Sequence, residues 1–269
     1  MRIASLHTYP IKSCQGINLQ VGTFGRRGFE LDRRFMVVNE RGGFRSQRED
    51  PALARVEVQV EGRTMTVSTH GHGAVAIDLD EAAVGDALDV TVWRNTSRGI
   101  DQGDDAAVFF SELLGAPSRL VHMPDDVERH VTRKLATSRD DIVGYADSSP
   151  FLVTSVESLA DLQRHMDERV PMGRFRPNIV LSGGAPWEED RWTALHSGDV
   201  ELSVTKACKR CVITTTDQAT GKRASEPMRT LGRLRRSETG SGVEFGMYAV
   251  PRTPAGELAV GDEVEALDG

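Results

Sequence analysis

Short runs of alternating apolar and polar residues fill the first half of the chain, and this pattern constrains the fold more than any other feature. Between Ala54 and Val60 the valines 56, 58 and 60 alternate with polar residues, as a half-buried strand requires. Similar runs separated by Gly- and Asp-rich turns predict strands at Phe35–Asn39, Met65–Ser68, Val75–Leu79 and Leu88–Trp93. Many short strands with short connections favour a barrel-like or coiled sheet.

The second half mixes further strands with a few helices. A helix is predicted at Asp105–Leu114, with Asp104 as its N-cap and Gly115 as its stop. Thr154 and Glu157 fit a capping box that opens a second helix, and a short third is predicted at Pro227–Arg235. The remaining predicted strands are Arg2–Tyr9, Leu120–His122, Phe151–Thr154, Asn178–Leu181, Val200–Thr205, Val212–Thr216, Phe245–Val250 and Glu257–Val260.

Charge and cysteine content narrow the class of protein. The net charge of −7 disfavours a general role on nucleic acid or anionic membranes. No stretch approaches the roughly 20 apolar residues of a membrane span, and the N-terminus lacks the apolar core of a signal peptide. The three cysteines form an odd set, which argues against a secreted disulfide framework. We therefore expect a cytoplasmic protein.

Two of the cysteines, Cys208 and Cys211, lie in the basic segment KACKRCVITTTDQATGKR. Neighbouring cations favour the thiolate, which is the nucleophilic and metal-binding form. A redox pair usually opens a helix, whereas this pair lies between two predicted strands. Structural zinc needs four ligands, yet Cys14 stands alone and the histidines show no ligand spacing. The segment by itself is also compatible with two ordinary cysteines in a surface loop.

Basic residues elsewhere have the types that hold a phosphate. The turn YPIKSCQG carries Lys12 and Ser13, and Pro177 fixes the chain beside Arg176 before a predicted strand. Lysine, serine and exposed backbone N–H groups bind phosphate oxygens. Taken singly, each of these residues is equally compatible with an ordinary solvated surface.

Five segments together point further: YPIKSCQG, LDRRFMVV, SSPFLVTS, GRFRPNIVLSG and KACKRCVITTTDQATG. Their order and spacing resemble the MOSC superfamily over nearly the whole chain. They are most similar to its two-domain members, the mitochondrial amidoxime reducing component and its bacterial relatives. The resemblance implies a mixed α/β, predominantly β fold with few peripheral helices. A MOSC N-terminal β-barrel-like domain, residues 1–123, would pack against a MOSC β-barrel domain, residues 124–269.

The resemblance also implies a cofactor and its ligands. The cofactor would be molybdenum cofactor (Mo-molybdopterin), with Cys211 as the metal ligand and Cys208 as a neighbour. Asp217 is a candidate to orient the site or to relay a proton, and a solvated turn is the rival interpretation. The further cofactor-binding residues would be Lys12, Ser13, Arg34, Ser148, Ser149, Arg176, Asn178, Lys209 and Arg210.

The implied activity is two-electron reduction of small N-oxygenated (N-hydroxylated) compounds. No cysteine follows Cys211, so we expect electrons from a separate ferredoxin- or cytochrome b5-like protein with a flavin reductase. We also expect a soluble bacterial monomer that binds neither nucleic acid nor membrane. Two alternatives stay open: a sulfur-carrier or sulfur-transfer protein in which Cys211 holds a persulfide, and a cofactor carrier without turnover.

Overall fold

The computed structural model describes residues 1–82, 84–238 and 240–269, and strands are the predominant regular structure in these residues. This confirms the predicted predominantly β fold. The strands are β1 Arg2–Thr8, β2 Ile17–Leu19, β3 Val21–Gly25, β4 Gly28–Phe29, β5 Phe35–Asn39, β6 Glu57–Glu61, β7 Thr64–Thr69, β8 Gly73–Asp78, β9 Ala87–Val92, β10 Asn95–Asp101, β11 Ser118–His122, β12 Phe151–Ser155, β13 Ile179–Ser182, β14 Trp192–Ser197, β15 Val200–Arg210, β16 Val243–Pro251, β17 Gly256–Ala259 and β18 Glu265–Asp268.

Three α-helices accompany these strands in the described residues: α1 Gly103–Leu114, α2 Val156–Arg164 and α3 Met228–Leu234. Gly115 ends α1 in a left-handed conformation, as predicted. The predicted start of α1 at Asp105 is wrong by two residues. The predicted cap of α2 is wrong by one residue, because the Ser155 hydroxyl, not that of Thr154, accepts the bond from the Ser158 N–H.

The largest sheet joins the two ends of the chain. Its eight strands run in the order β18-β14-β15-β16-β12-β13-β1-β2, and β3 pairs with β17 in a separate sheet. The strands β5-β11-β10-β9 and β6-β7-β8 form two further sheets. The first strands of the predicted N-terminal domain thus pair with strands beyond residue 124. The boundary between residues 123 and 124 stays a prediction.

The segment with the two cysteines differs from the prediction. β15 continues through Arg210, five residues beyond the predicted end at Thr205, so Cys208 lies within a strand. The predicted strand at Val212–Thr216 is wrong, because Val212–Thr215 is a 3₁₀ helix that begins directly after Cys211. Two irregularities in the pairing with β16, at Val204/Lys206 and at Ala207/Lys209, change which face the following side chains occupy. Pairing with β16 extends β15, and the local sequence gives no sign of it.

The strand β10 is one of the elements that the sequence pattern did not predict. β10 contains Asn-Thr-Ser-Arg-Gly, yet it pairs with β9 across the two-residue turn Trp93-Arg94. The pairing partner, not the side-chain pattern, stabilises such a strand. The main core lies on the eight-stranded sheet around Phe24, Phe29 and Phe151, whose rings pack edge to face. In the described residues, no helix is both long enough and apolar enough to span a bilayer.

Candidate functional site

A cavity of about 150 Å³ lies where the N-terminal segments meet the end of β15. Its wall comes from the turn after β1, the loops after β5 and before β12, the segment before β13, and the residues around Cys211. The cavity brings together nine of the eleven residues predicted from the sequence: Lys12, Ser13, Ser148, Ser149, Arg176, Asn178, Lys209, Arg210 and Cys211. Their assignment to a cofactor stays a prediction.

The predicted residue Arg34 lies elsewhere. Its guanidinium donates to the Met123 carbonyl and pairs with Asp125 at 2.8 Å. Arg33 occupies the cavity in its place. Arg33 has a left-handed backbone with φ of 47°, so two arginines that are adjacent in the sequence point in different directions. The choice of Arg34 as a cavity residue is therefore corrected to Arg33.

Asp217 also lies outside the cavity wall. Its carboxylate accepts bonds from the Thr220 hydroxyl and N–H and pairs with Arg174 at 3.0 Å. The hydrogen bond from Thr220, the N–H bonds and Arg174 lower the pKa of Asp217. The Asp217 carboxylate is ionised, and its bonds to Thr220 and Arg174 hold the loop that follows Cys211 in place. This geometry suits the orienting role and gives no support to a proton relay.

We define the inner cluster as Tyr9, Asp32, Arg33, Arg176 and Asn178. The guanidinium carbons of Arg33 and Arg176 lie 4.2 and 4.3 Å from the centre of the buried Tyr9 ring. Asp32, with 1% of its side chain exposed, binds Arg33 and accepts bonds from the Tyr9 N–H and the Asn178 amide. The buried carboxylate therefore fixes one arginine and the ring beside it.

Electrostatics in the inner cluster favour a bound anion. Burial, and then the neighbouring Arg33, lower the pKa of Arg176 to about 10. Its Nη1 donates to the Cys14 carbonyl at 2.6 Å, and it makes no salt bridge within the described residues. A guanidinium that is held but not neutralised is suited to bind phosphate.

Backbone strain concentrates at the same place. Ser13, Arg33 and Arg176 all line the cavity, and all have positive φ, at 72°, 47° and 55°. Left-handed backbone in residues other than glycine costs of order 1–3 kcal/mol each and is found most often at functional sites. Arg33 and Arg176 both stack on the Tyr9 ring, Arg33 also binds Asp32, and the Gln47 amide donates to the Ser13 carbonyl.

We define the outer cluster as Lys12, Arg48, Trp93 and Asp147. The buried Lys12 ammonium donates to the Tyr145 carbonyl and to Asp147. Asp147 also accepts from Arg48 at 3.4 Å and from the Trp93 indole at 3.2 Å. Partial burial favours the neutral acid, but Lys12 and then Arg48 outweigh it and lower the pKa of Asp147. The result is an ionised carboxylate that joins two cations.

The two cysteines of the CxxC segment have different surroundings. Cys208 is buried and accepts a bond from Arg210 Nη1 at 2.8 Å. Cys211 is half-buried, and Arg48 Nη2 lies 3.5 Å from its sulfur. Burial lowers the pKa of Arg48, whereas Cys211 and then Asp147 raise it, and the net shift is upward. Cys211 is thus the more accessible thiol, with a guanidinium beside its sulfur.

The residues present fit the group that the family resemblance implies. The cavity wall carries six cations, Lys12, Arg33, Arg48, Arg176, Lys209 and Arg210, whereas Asp147 is the single carboxylate among the described wall residues. The buried Nε of Arg210 has no hydrogen-bond partner in the described part of the chain. A cationic cavity with an accessible thiol suits a phosphate-bearing ligand whose metal takes a sulfur donor.

Sequence reasoning missed Arg33, Arg48 and Asp147. Arg33 and Asp147 are direct neighbours of the predicted Arg34 and Ser148, so the right segments were identified. Arg48 comes from the loop after β5, where SQRED carries no recognisable pattern. Only its contact with Cys211, 163 residues away in the chain, marks Arg48 as part of the site.

Comparison with known proteins agrees with this architecture. Residues 1–117 match the MOSC N-terminal beta barrel domain, and residues 140–265 match the MOSC domain. The chain is 36% identical to mitochondrial amidoxime-reducing component 1 of Mus musculus and 33% identical to that of Homo sapiens. Each alignment covers 98% of this chain and 82% of the relative.

A more distant similarity is to molybdenum cofactor sulfurase of Danio rerio, at 26% identity. That alignment covers 97% of this chain but only 34% of the sulfurase. The two domain matches and the identities to near-full-length relatives establish the family. The chain belongs to the two-domain MOSC proteins that include the mitochondrial amidoxime-reducing components.

Proposed function

We propose that this protein is a molybdenum-cofactor-dependent oxidoreductase that reduces N-oxygenated compounds with electrons from a separate redox protein. One observation carries the proposal: the half-buried Cys211 thiol opens into the same cavity as the cations of the inner and outer clusters. The names of the relatives, amidoxime-reducing components, support the reaction class.

Each part of the cavity has a task in this proposal. The Cys211 thiolate would hold the metal, and Arg48 would offset the charge of its sulfur. Lys12, Arg33 and Arg176 would hold the terminal phosphate. When bound, the cofactor supplies the two-electron reducing chemistry. Asn178 donates to Asp32 and accepts from Arg33, so it braces the inner cluster behind the phosphate site.

The test is metal content in protein made by a host that synthesises the cofactor. We expect about one molybdenum and one pterin per chain, together with reduction of an aryl amidoxime by a reduced viologen dye. Cys211→Ser should lose molybdenum, whereas Cys208→Ser should retain it, because Arg210 and not the metal would bind the Cys208 sulfur. Normal molybdenum content in Cys211→Ser would overturn the proposal.

Sulfur transfer is the second candidate, favoured by the similarity to the zebrafish sulfurase. In that role the Cys211 thiolate would accept the outer sulfur of a donor persulfide, the donor would leave as its thiolate, and the added sulfur would raise the intact mass by about 32 Da. A molybdenum-free protein with this added mass, abolished by Cys211→Ser, would replace the oxidoreductase proposal. The physiological electron donor, the monomeric state and the cytoplasmic location stay predictions.

A further inference from the structure

Trp93 lies at the tip of the β9–β10 hairpin, next to the outer end of the cavity. The residue is 50% exposed, and its backbone is left-handed with φ of 57°. Both features are unfavourable for a bulky aromatic residue, since left-handed backbone strains it and solvent exposure forgoes burial. A position that is costly in two ways suggests that the ring is held there for a contact.

A single side chain, that of Arg48, connects Trp93 to Cys211. The Arg48 guanidinium carbon lies 4.6 Å from the centre of the indole ring, and the indole N–H donates to Asp147. Asp147 also binds Arg48, and Arg48 Nη2 lies 3.5 Å from the Cys211 sulfur. The ring and the carboxylate therefore restrain the same guanidinium from two directions.

We propose that Trp93 is a positioning residue that holds the charge of Arg48 against the Cys211 sulfur. The importance of that placement for metal binding rests on the proposed function. The electrostatic placement itself does not, and it can be measured without cofactor. Arg48 has a flexible side chain and only weak contacts of its own at 3.4 and 3.5 Å. Loss of the ring should let the guanidinium leave the sulfur.

A second tryptophan provides a matched control. Trp187 also has a left-handed backbone, with φ of 65°, and its indole N–H donates to Asp161 at 2.8 Å. Arg235 stacks on its ring at 4.3 Å. Neither Trp187 nor Arg235 lines the cavity. Substituting Trp187 therefore removes an arginine–indole contact of the same kind at a place remote from Cys211.

The experiment compares two alkylating reagents on full-length protein prepared without molybdenum. Iodoacetate is an anion and iodoacetamide is neutral, so the ratio of their rates at Cys211 reports the local positive charge. Both reagents attack the same thiolate, and the ratio is therefore independent of how much thiolate is present. Cys14 and Cys208 are buried, and peptide masses identify the labelled residue.

We expect Arg48→Met to lower the iodoacetate-to-iodoacetamide ratio about fivefold, the effect of one charge roughly 4 Å away in water. Trp93→Ala should lower it about two- to threefold, and Trp93→Phe, which keeps a ring but loses the bond to Asp147, by less. Trp187→Ala should leave the ratio unchanged. In the double variant Trp93→Ala with Arg48→Met, the ratio should equal that of Arg48→Met alone.

A wild-type ratio in Trp93→Ala, or in Arg48→Met, would overturn the inference. If Trp93→Ala does not fold, a fall in Trp93→Phe supports the inference and a wild-type ratio there overturns it. Absence of molybdenum from protein made in a competent host would contradict the proposed function but leave the alkylation result interpretable. The two proposals can therefore fail separately.

Discussion

The inner and outer clusters use the same parts, an arginine on an aromatic ring with a carboxylate beside it, at different depths. In the inner cluster Tyr9 is 4% exposed and the Asp32 side chain 1%. In the outer cluster Trp93 is 50% exposed and the Asp147 side chain 38%. The attraction between opposite charges is stronger when the pair is buried, and removing one partner from a buried pair destabilises the fold more than removing it from an exposed pair. We therefore expect the inner cluster to support the fold as well as the ligand, and the outer cluster chiefly the surroundings of Cys211.

The largest expected effect is on folding. Asp32→Asn should lower the free energy of unfolding by about 3–5 kcal/mol, because it leaves the buried Arg33 charge without its partner. Asp147→Asn, the matched change, should cost less, about 1–3 kcal/mol, because water can reach the 38% exposed carboxylate site although its partner Lys12 is buried. Urea denaturation of both variants measures the difference. Equal losses would remove the distinction between the clusters.

The next effect is on ligand retention. Arg176→Met should weaken cofactor affinity about ten- to a hundredfold, the value of a charge-assisted hydrogen bond of about 1.5–3 kcal/mol, and lower molybdenum and pterin content together. Cys211→Ser should reduce molybdenum more than pterin, because it removes only the proposed metal ligand. Arg235→Met is the control, since Arg235 also stacks on a ring but lies away from the cavity. Unchanged pterin in Arg176→Met would contradict a phosphate role for the inner cluster.

The smallest effect is a pH dependence beside the inner cluster. Burial raises the pKa of the Cys14 thiol from 9.0 to about 12, with Arg176 acting in the opposite direction. Between pH 9 and pH 12 the Cys14 thiol therefore stays protonated in the folded protein but ionises in the unfolded chain. This stabilising contribution is complete below pH 9 and is lost as the pH rises towards 12.

For Cys14 we expect the unfolding free energy to fall by about 1 kcal/mol between pH 9 and pH 10. The fall should be smaller in Cys14→Ala, which has no thiol to ionise. Urea midpoints of both proteins across this range make the comparison. Parallel curves would show that another group accounts for the alkaline loss.

Much of the fold could be predicted from the sequence. Alternating valines identify strands because alternate side chains face the core, and Gly115 ends α1 because glycine tolerates left-handed backbone. The polar strand β10 could not be identified in this way. It is stabilised by pairing with β9, and pairing between segments leaves no periodic signal in a polar sequence.

Part of the site could be predicted as well. The sequence by itself determined the basic and cysteine-containing segments, and hence the family and most of the cavity residues. Only the tertiary structure decided between Arg33 and Arg34, because a left-handed backbone at Arg33 sets the direction of its side chain. Only the tertiary structure brought Arg48 to Cys211, because that contact depends on the packing of segments far apart in the chain. Local sequence encodes residue chemistry and strand propensity, whereas the charge around one sulfur atom depends on how distant segments pack.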